Sequence, residues 1–293
     1  MSVPAAYLAV IAIWSTTPIA IKWSSEGPSF IAGVTIRMLI GTMICLLIVK
    51  LLRINLPWHR QAVQAYMAGS MAVFAGMISV YWGAQYIDSG FVALLFGLSP
   101  LATTLIAVSI GSEQRPGPTK ILGIITALGG LFCVVSLGDT NSSDNALYGM
   151  LAVLVGMLMH SISTVWVKQT SHDLSGLVMA TGSLLFSMPL YLLVWLVVDG
   201  SIPEDITVRA AASIAYLGLF GSVFGYVMYF YALRHVSASS IALIPLITPV
   251  TALLIGQAFN NEQVTAVVWF GTGLIILGLG MHQWGHRLRL KPA

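Results

Sequence analysis

Few side chains in this sequence can do chemistry, and those that can stand inside long apolar runs. His160, in Met157-Leu-Met-His160-Ser-Ile-Ser163, is the only histidine near the middle of such a run. Its imidazole titrates near neutrality, so it is the one group there able to carry a proton at physiological pH. Trp14 holds the matching place in an earlier run, Trp14-Ser-Thr-Thr17-Pro-Ile-Ala-Ile-Lys22, and the run around His160 likewise ends on a lysine, Lys168. Helical spacing puts Thr17 one turn from Trp14 and Ser163 one turn from His160. An indole face, an imidazole and two hydroxyls at one depth suit binding of a small amphipathic molecule. Tyr81, Tyr226 and Tyr229 either extend that wall with ring bodies and hydroxyl tips or form an interfacial belt.

Arg37 is the one formal charge deep within an apolar run. A lone guanidinium at the centre of a bilayer costs about 2.5–3.5 kcal/mol even on lenient insertion scales, so it must face protein, water or carbonyls. Two roles fit: a counter-ion for a substrate carboxylate, or, preferred here, a structural charge bonded to backbone or loop carbonyls. Glu113 and Glu262 each close an apolar run, where a carboxylate can cap the following helix N-terminus and favour its dipole. Lys22 and Lys168 are explained by snorkelling to the interface. Pro100 and Pro249 each remove a backbone hydrogen bond within a run and are candidate hinges at matched depth, as against static bends. Gly218, Gly221 and Gly225, with Gly271, Gly278 and the Gly129-Gly130 pair, mark faces where helices approach closely.

No catalytic set is present. The chain has neither a Gly-Lys-Ser/Thr phosphate loop nor a histidine–carboxylate metal cluster, which argues against an ATP-driven pump and a metalloenzyme and calls for no cofactor. An intramembrane enzyme or lipid-handling protein would need clustered acids, histidines or a nucleophile pair, and a channel would need a continuous polar lining. Cys45 and Cys133 read as small buried side chains.

The elements that must position these groups follow from composition. The chain is 57% hydrophobic and 8% charged, with a mean hydropathy of +0.90, whereas soluble domains average about 25% charged residues. It is therefore an integral membrane protein. A spanning helix needs about 20 apolar residues, and ten such runs are predicted, at 4–23, 29–50, 62–85, 90–111, 117–137, 146–167, 175–198, 208–233, 238–259 and 264–284. The first lacks a basic leader and a cleavage site and reads as a retained span. Period-two alternation, which a barrel would require, is missing.

The chain is one design written twice. Ala93 to Glu113 recurs at an offset of 149 residues (242 minus 93), pairing Pro100 with Pro249, Glu113 with Glu262 and Gly129 with Gly278. Two five-helix repeats, 1–143 and 144–293, are the expected domains. With the N-terminus in the cytoplasm, Lys50, Arg53, Arg60, Arg115, Lys120, Lys168, Arg234, Arg287, Arg289 and Lys291 fall inside and only Lys22 and Arg209 outside. Loop Lys and Arg orient a membrane protein, so both termini are expected in the cytoplasm. Five spans per repeat is an odd number, so the second repeat is inverted, the plan of many secondary transporters with a site near the midplane.

The paired Ala-Leu…Pro…Glu spans, the Trp14-to-Lys22 opening with its echo from His160 to Lys168, and Arg37 early in the second span resemble the EamA-type transporters of the drug/metabolite transporter superfamily. Two positions differ between the halves: His160 stands opposite Trp14, and Ser183 opposite Arg37. The resemblance covers nearly the whole chain. It implies ten helices around a central cavity and a secondary transporter in the cell inner membrane that moves metabolites, often amino acids or their relatives, commonly outward. Uptake or facilitated passage is the alternative within that class. The expected substrate site is Trp14, Thr17, Tyr81, His160, Ser163, Tyr226 and Tyr229; His160 is either a proton carrier, which would couple transport to protons, or a hydrogen-bonded structural group.

Overall fold

The computed structural model describes residues 2–27, 29–112, 116–137, 145–171, 173–201, 203, 205–235 and 244–284. Among them every regular element is helical. In chain order these are α1 (Val3–Ser24), α2 (Phe30–Leu51), α3 (Arg60–Gly83), α4 (Ser89–Ser109) and α5 (Pro118–Leu137). They continue as α6 (Ala146–Thr170), α7 (Gly176–Val198), α8 (Val208–His235), α9 (Ile244–Asn260) and α10 (Ala266–Trp284). Seven of them, α1 to α4 and α6 to α8, are long and apolar enough to cross a membrane. The apolar stretches of α5 and α10, Pro118–Val134 and Ala266–His282, are shorter, and the expected start of the ninth span at 238 lies outside the described residues.

Helix starts are set by short polar side chains that accept from the orphan N–H groups of the first turn. Ser29 accepts from Ala32 N at 3.2 Å, Ser175 from Val178 N at 3.3 Å and Thr207 from Ala210 N at 3.1 Å. Leu193, Leu196 and Val197 on α7 are exposed, as are Phe132 on α5 and Phe270 on α10. A helix apolar all round, with such residues left outside, is built to face lipid. Inside, Arg37, Tyr66, Tyr81 and Tyr191 are fully buried.

Three helices depart from regular geometry. α3 widens into a π-helix over Met71–Gly76 and α8 over Leu217–Gly225; π turns release backbone groups and concentrate at functional sites. In α3 the Val73 carbonyl accepts from Tyr191 Oη at 2.6 Å. α4 is interrupted at Gly97–Leu98, between its stretches Ser89–Phe96 and Ser99–Ser109.

α1 packs on α8 and α9, α2 on α7 and the π stretch of α8, and α4 on α6 and α9, while α5 and α10 pack chiefly on each other. That last pair is joined through glycines: a Cβ on Gly123 would meet the Gly278 carbonyl at 2.5 Å, and one on Gly130 the Gly271 carbonyl at 2.6 Å. Rising numbers on α5 meet falling numbers on α10, so the two helices run antiparallel. The two contacts are reciprocal if Gly123 answers to Gly271 and Gly130 to Gly278, an offset of 148 residues (271 minus 123; 278 minus 130), one fewer than the 149 of the α4/α9 match. Gly130, not Gly129, is the residue in contact, since Gly129 faces open space.

Polar contacts gather alternate helix ends. Lys22 pairs with Asp88 at 3.0 Å and Arg209 with Glu26 at 2.5 Å. Asp199, just past α7, accepts from the Ser201 and Ser29 hydroxyls. Those two bonds hold its carboxyl below the ordinary aspartate range.

Candidate functional site

A cavity lies where α1, α2, α3, α4, α6, α8 and α9 converge. Its wall comprises Trp14, Thr17, Pro18 and Ile21 of α1, Arg37 of α2, Met77 and Val80 of α3, and Val92, Ala93 and Phe96 of α4, with His160 of α6, Gly221 and Tyr226 of α8 and Thr248 of α9. Residues from both halves of the sequence therefore face one space. Pro18 brings no N–H to the helix ladder, which loosens α1 beside Trp14.

One side of the cavity is aromatic. Trp14 and His160 meet edge to face with ring centroids 5.6 Å apart, and Phe96 lies 5.9 Å from His160. Tyr229 backs both, at 5.3 Å from Trp14 and 5.4 Å from His160, and its hydroxyl shares a 2.7 Å hydrogen bond with Thr164. Aromatic pairs at these separations gain about 0.5–1.5 kcal/mol beyond area burial, so the cage is stiff.

The other side is polar. Arg37, only 2% exposed, donates from Nε to Ser222 Oγ at 3.1 Å and from Nη1 to Tyr81 Oη at 3.4 Å. Its guanidinium also lies over the Tyr81 ring, 5.8 Å from the centroid. Its described partners are thus hydroxyls and an aromatic face; the carbonyls expected from sequence are not among them. Ser222 and Gly221 both belong to the π stretch of α8.

The seven residues expected to form a substrate site do not all meet. Trp14, Thr17, His160 and Tyr226 line the cavity, Tyr229 stands behind the rings, and Tyr81 anchors Arg37. All three tyrosines are buried, so none belongs to an interfacial belt. Ser163 turns away: its hydroxyl donates to the Ala68 carbonyl of α3 at 2.6 Å. Thr17 stands at the same three-residue spacing from Trp14, about 300° around the helix, so spacing alone does not decide which hydroxyl faces the cavity; for Ser163 the Ala68 carbonyl of the neighbouring helix takes it. Thr17 keeps its place in the wall while donating back to the Ile13 carbonyl at 2.8 Å.

Glu262 caps a helix, but not the one that follows it. Its buried carboxylate accepts from Ser89 N at 3.0 Å, Ser89 Oγ at 2.7 Å and Gly90 N at 3.1 Å, all at the start of α4. Asn260 Nδ2 donates to it at 2.9 Å, and Asn260 Oδ1 accepts from Trp23 Nε1 at 3.0 Å. This mesh ties α1, α4 and α9 together just beyond Ile21. Glu113 lies outside the described residues. Lys22 and Lys168 do more than reach an interface: Lys22 Nζ donates to the Ile87 carbonyl at 3.3 Å and Lys168 Nζ to the Leu233 carbonyl at 2.7 Å, each spanning 65 residues.

Of the two prolines, Pro100 falls in the first turn after the α4 break, while α9 runs through Pro249 from Ile244 to Asn260. Sequence reasoning missed Phe96, Met77, Thr248 and Ser222. Thr248 had a signal, as the residue before Pro249 matching Ser99 before Pro100. Among the described residues no group of three or more His, Cys, Asp or Glu could hold a metal ion.

The family described as "EamA-like transporter family" matches residues 3–136 and 147–282. The chain is 26% identical over 278 residues to the uncharacterized transporter YoaV of Bacillus subtilis, covering 94% of both. It is 25% identical to the uncharacterized inner membrane transporter YedA of Escherichia coli, covering 94% of this chain and 88% of that one. A protein of Streptantibioticus cattleyicolor named a probable terminal-alkyne amino-acid exporter is 24% identical, with 92% of each chain covered. A solved crystal structure superposes with a TM-score of 0.72 at 17% identity over 99% of each chain, a likeness of fold.

Proposed function

The chain belongs to the EamA-like transporter family and is a membrane transporter; from that premise we propose that it exports small amphipathic metabolites, amino acids or related compounds, aromatic ones included, across the inner (plasma) membrane by alternating access. The observation that carries the reading is the cavity itself. Its wall draws on both halves, with rings on one side and a guanidinium and hydroxyls on the other. A molecule with an apolar body and a polar head fits such a lining. The name of the Streptantibioticus relative supports the amino-acid class and the outward direction. Trp14, Thr17, His160 and Tyr226 bind the substrate, Tyr229 and Tyr81 hold the binding groups, and His160 couples movement to protons.

The proposed frame is ten spans in two inverted repeats, 1–143 and 144–293, with both termini in the cytoplasm. Three features support it. The equivalent helices α5 and α10 pack antiparallel through reciprocal glycine pairs, Lys22 and Lys168 make the same contact within each half, and π stretches occur in both α3 and α8. Inverted repeats give two similar energy wells, one open to each side. Pro100 and Pro249 are the proposed hinges.

The test is transport of labelled amino acids by proteoliposomes of known orientation, with and without a pH gradient. Saturable movement of neutral or aromatic amino acids, faster in the outward sense and driven by the gradient, is expected. Movement faster inward would make the protein an uptake carrier, and equal, gradient-independent rates a facilitator. A reporter fused after Ala293 that is active only in the periplasm should stay silent.

A further inference from the structure

We infer that Arg37 and Tyr226 form a carboxylate-recognition site in the cavity wall, so that the substrate's acid group, not its amine, is what the protein reads. The inference rests on the cavity being the transport site.

A guanidinium has five N–H donors and a full charge. Arg37 uses Nε on Ser222 and Nη1 on Tyr81, both neutral hydroxyls. The ion pairs among the described residues are Lys22–Asp88 and Arg209–Glu26, at the helix ends, so no described carboxylate neutralises Arg37. Its Nη2 points toward Gly221, where a Cβ would stand only 3.0 Å away. Both residues line the cavity.

Tyr226 supplies the second, independent observation. It is 6% exposed and lines the same cavity, yet its hydroxyl has no hydrogen-bond partner among the described residues. A buried hydroxyl without a partner is costly, and one carried by a residue that lines the same cavity as an uncompensated cation marks where an anionic acceptor belongs. A carboxylate there would take a charge-assisted bond from Arg37 and a hydrogen bond from Tyr226. Its apolar body would then lie toward Trp14 and Phe96. The described cavity wall contains no acid, so an ammonium finds no ionic partner there. A deaminated acid should serve nearly as well as the amino acid.

The experiment measures uptake of labelled L-phenylalanine and L-leucine into proteoliposomes, with competition by the matching amides and by 3-phenylpropanoate. For the wild type, 3-phenylpropanoate should compete within a few-fold of L-phenylalanine, and each amide at least roughly tenfold more weakly, the scale of a lost charge-assisted bond. Arg37→Gln should abolish that discrimination, Arg37→Lys should keep part of it, and Tyr226→Phe should weaken both acids by about five- to tenfold while leaving the thermal midpoint unchanged or raised. The Tyr226→Phe result stands even if Arg37→Gln fails to fold, because that hydroxyl supports no described contact. Amides competing as well as acids, or acid preference surviving in Arg37→Gln, would overturn the inference while leaving the cavity as the transport site. Movement of neither labelled acid would defeat the amino-acid reading and this inference together.

Discussion

Trp14 and His160, which hold matching places in the two halves of the sequence, touch each other: their rings meet edge to face with centroids 5.6 Å apart. Each also packs on Tyr229. A substrate held between two halves must keep contact with both while the gates exchange, and this pair lies where both halves reach it. Trp14→Ala and His160→Ala should each weaken binding of a transported amino acid by roughly 1–3 kcal/mol, the scale of a lost aromatic contact or buried hydrogen bond. Equilibrium binding to the purified protein reads this directly. Unchanged affinity in both variants would remove α1 and α6 from the pathway.

The proposal that transport is coupled to protons rests on His160, the imidazole in the cavity wall. His160→Gln keeps a hydrogen-bonding side chain of similar reach but cannot titrate between pH 5 and 8. Its transport rate should lose the dependence on an imposed pH gradient while substrate affinity changes less than in His160→Ala. A gradient response equal to that of the wild type would exclude the role.

The Glu262 carboxylate holds the start of α4 from the far half of the chain through Ser89 and Gly90. Glu262→Ala strands those two N–H groups in a buried site and should destabilise the protein by about 1.5–3 kcal/mol. Ser89→Ala, which removes one hydroxyl donor, should cost about 1 kcal/mol. Thermal unfolding in one detergent compares the two. Gly256 is part of the same device, because a Cβ there would meet a Glu262 oxygen at 2.3 Å, so Gly256→Ala should resemble Glu262→Ala.

Pro100 follows a real break in α4, whereas α9 runs through Pro249. An alanine at position 100 would regain the N–H that can bond the Phe96 carbonyl and close the break. Pro100→Ala should therefore slow substrate exchange more than it weakens binding, and Pro249→Ala should slow it less. Counterflow rates at saturating substrate measure both. Equal, wild-type rates in an intact fold would make the prolines packing features.

Much of this was legible before the structure, and the reasons differ by residue. Long apolar runs without period-two alternation must fold as helices, so composition located these elements, seven of them long and apolar enough to cross a membrane. The echo of Trp14 in His160 survives in the repeat register, and periodicity then put Thr17 on the cavity side. The same periodicity failed for Ser163, because its hydroxyl is taken by the Ala68 carbonyl of α3, 95 residues away in sequence. Arg37 and Glu262 were visible as unusual charges, but their partners Ser222 and Ser89 stand 185 and 173 residues away in sequence, beyond any local pattern. The π stretches left no compositional trace, since Gly221 and Ser222 read equally well as ordinary close-packing residues. The close approach of α5 and α10 was anticipated at Gly130, Gly271 and Gly278, whereas Gly129 faces open space.

Alternating access through one cavity is tested most directly by chemical accessibility at Thr17, in the wall one turn from Trp14. The two native cysteines, Cys45 and Cys133, are free and can be replaced by serine, after which Thr17→Cys is the sole thiol. A membrane-impermeant thiol reagent applied to each side of oriented proteoliposomes should label Cys at position 17 from both sides, and saturating L-phenylalanine or L-leucine should slow labelling from each. Labelling confined to one side under all conditions, or unaffected by either amino acid, would contradict a single substrate cavity that opens in turn to both faces of the membrane.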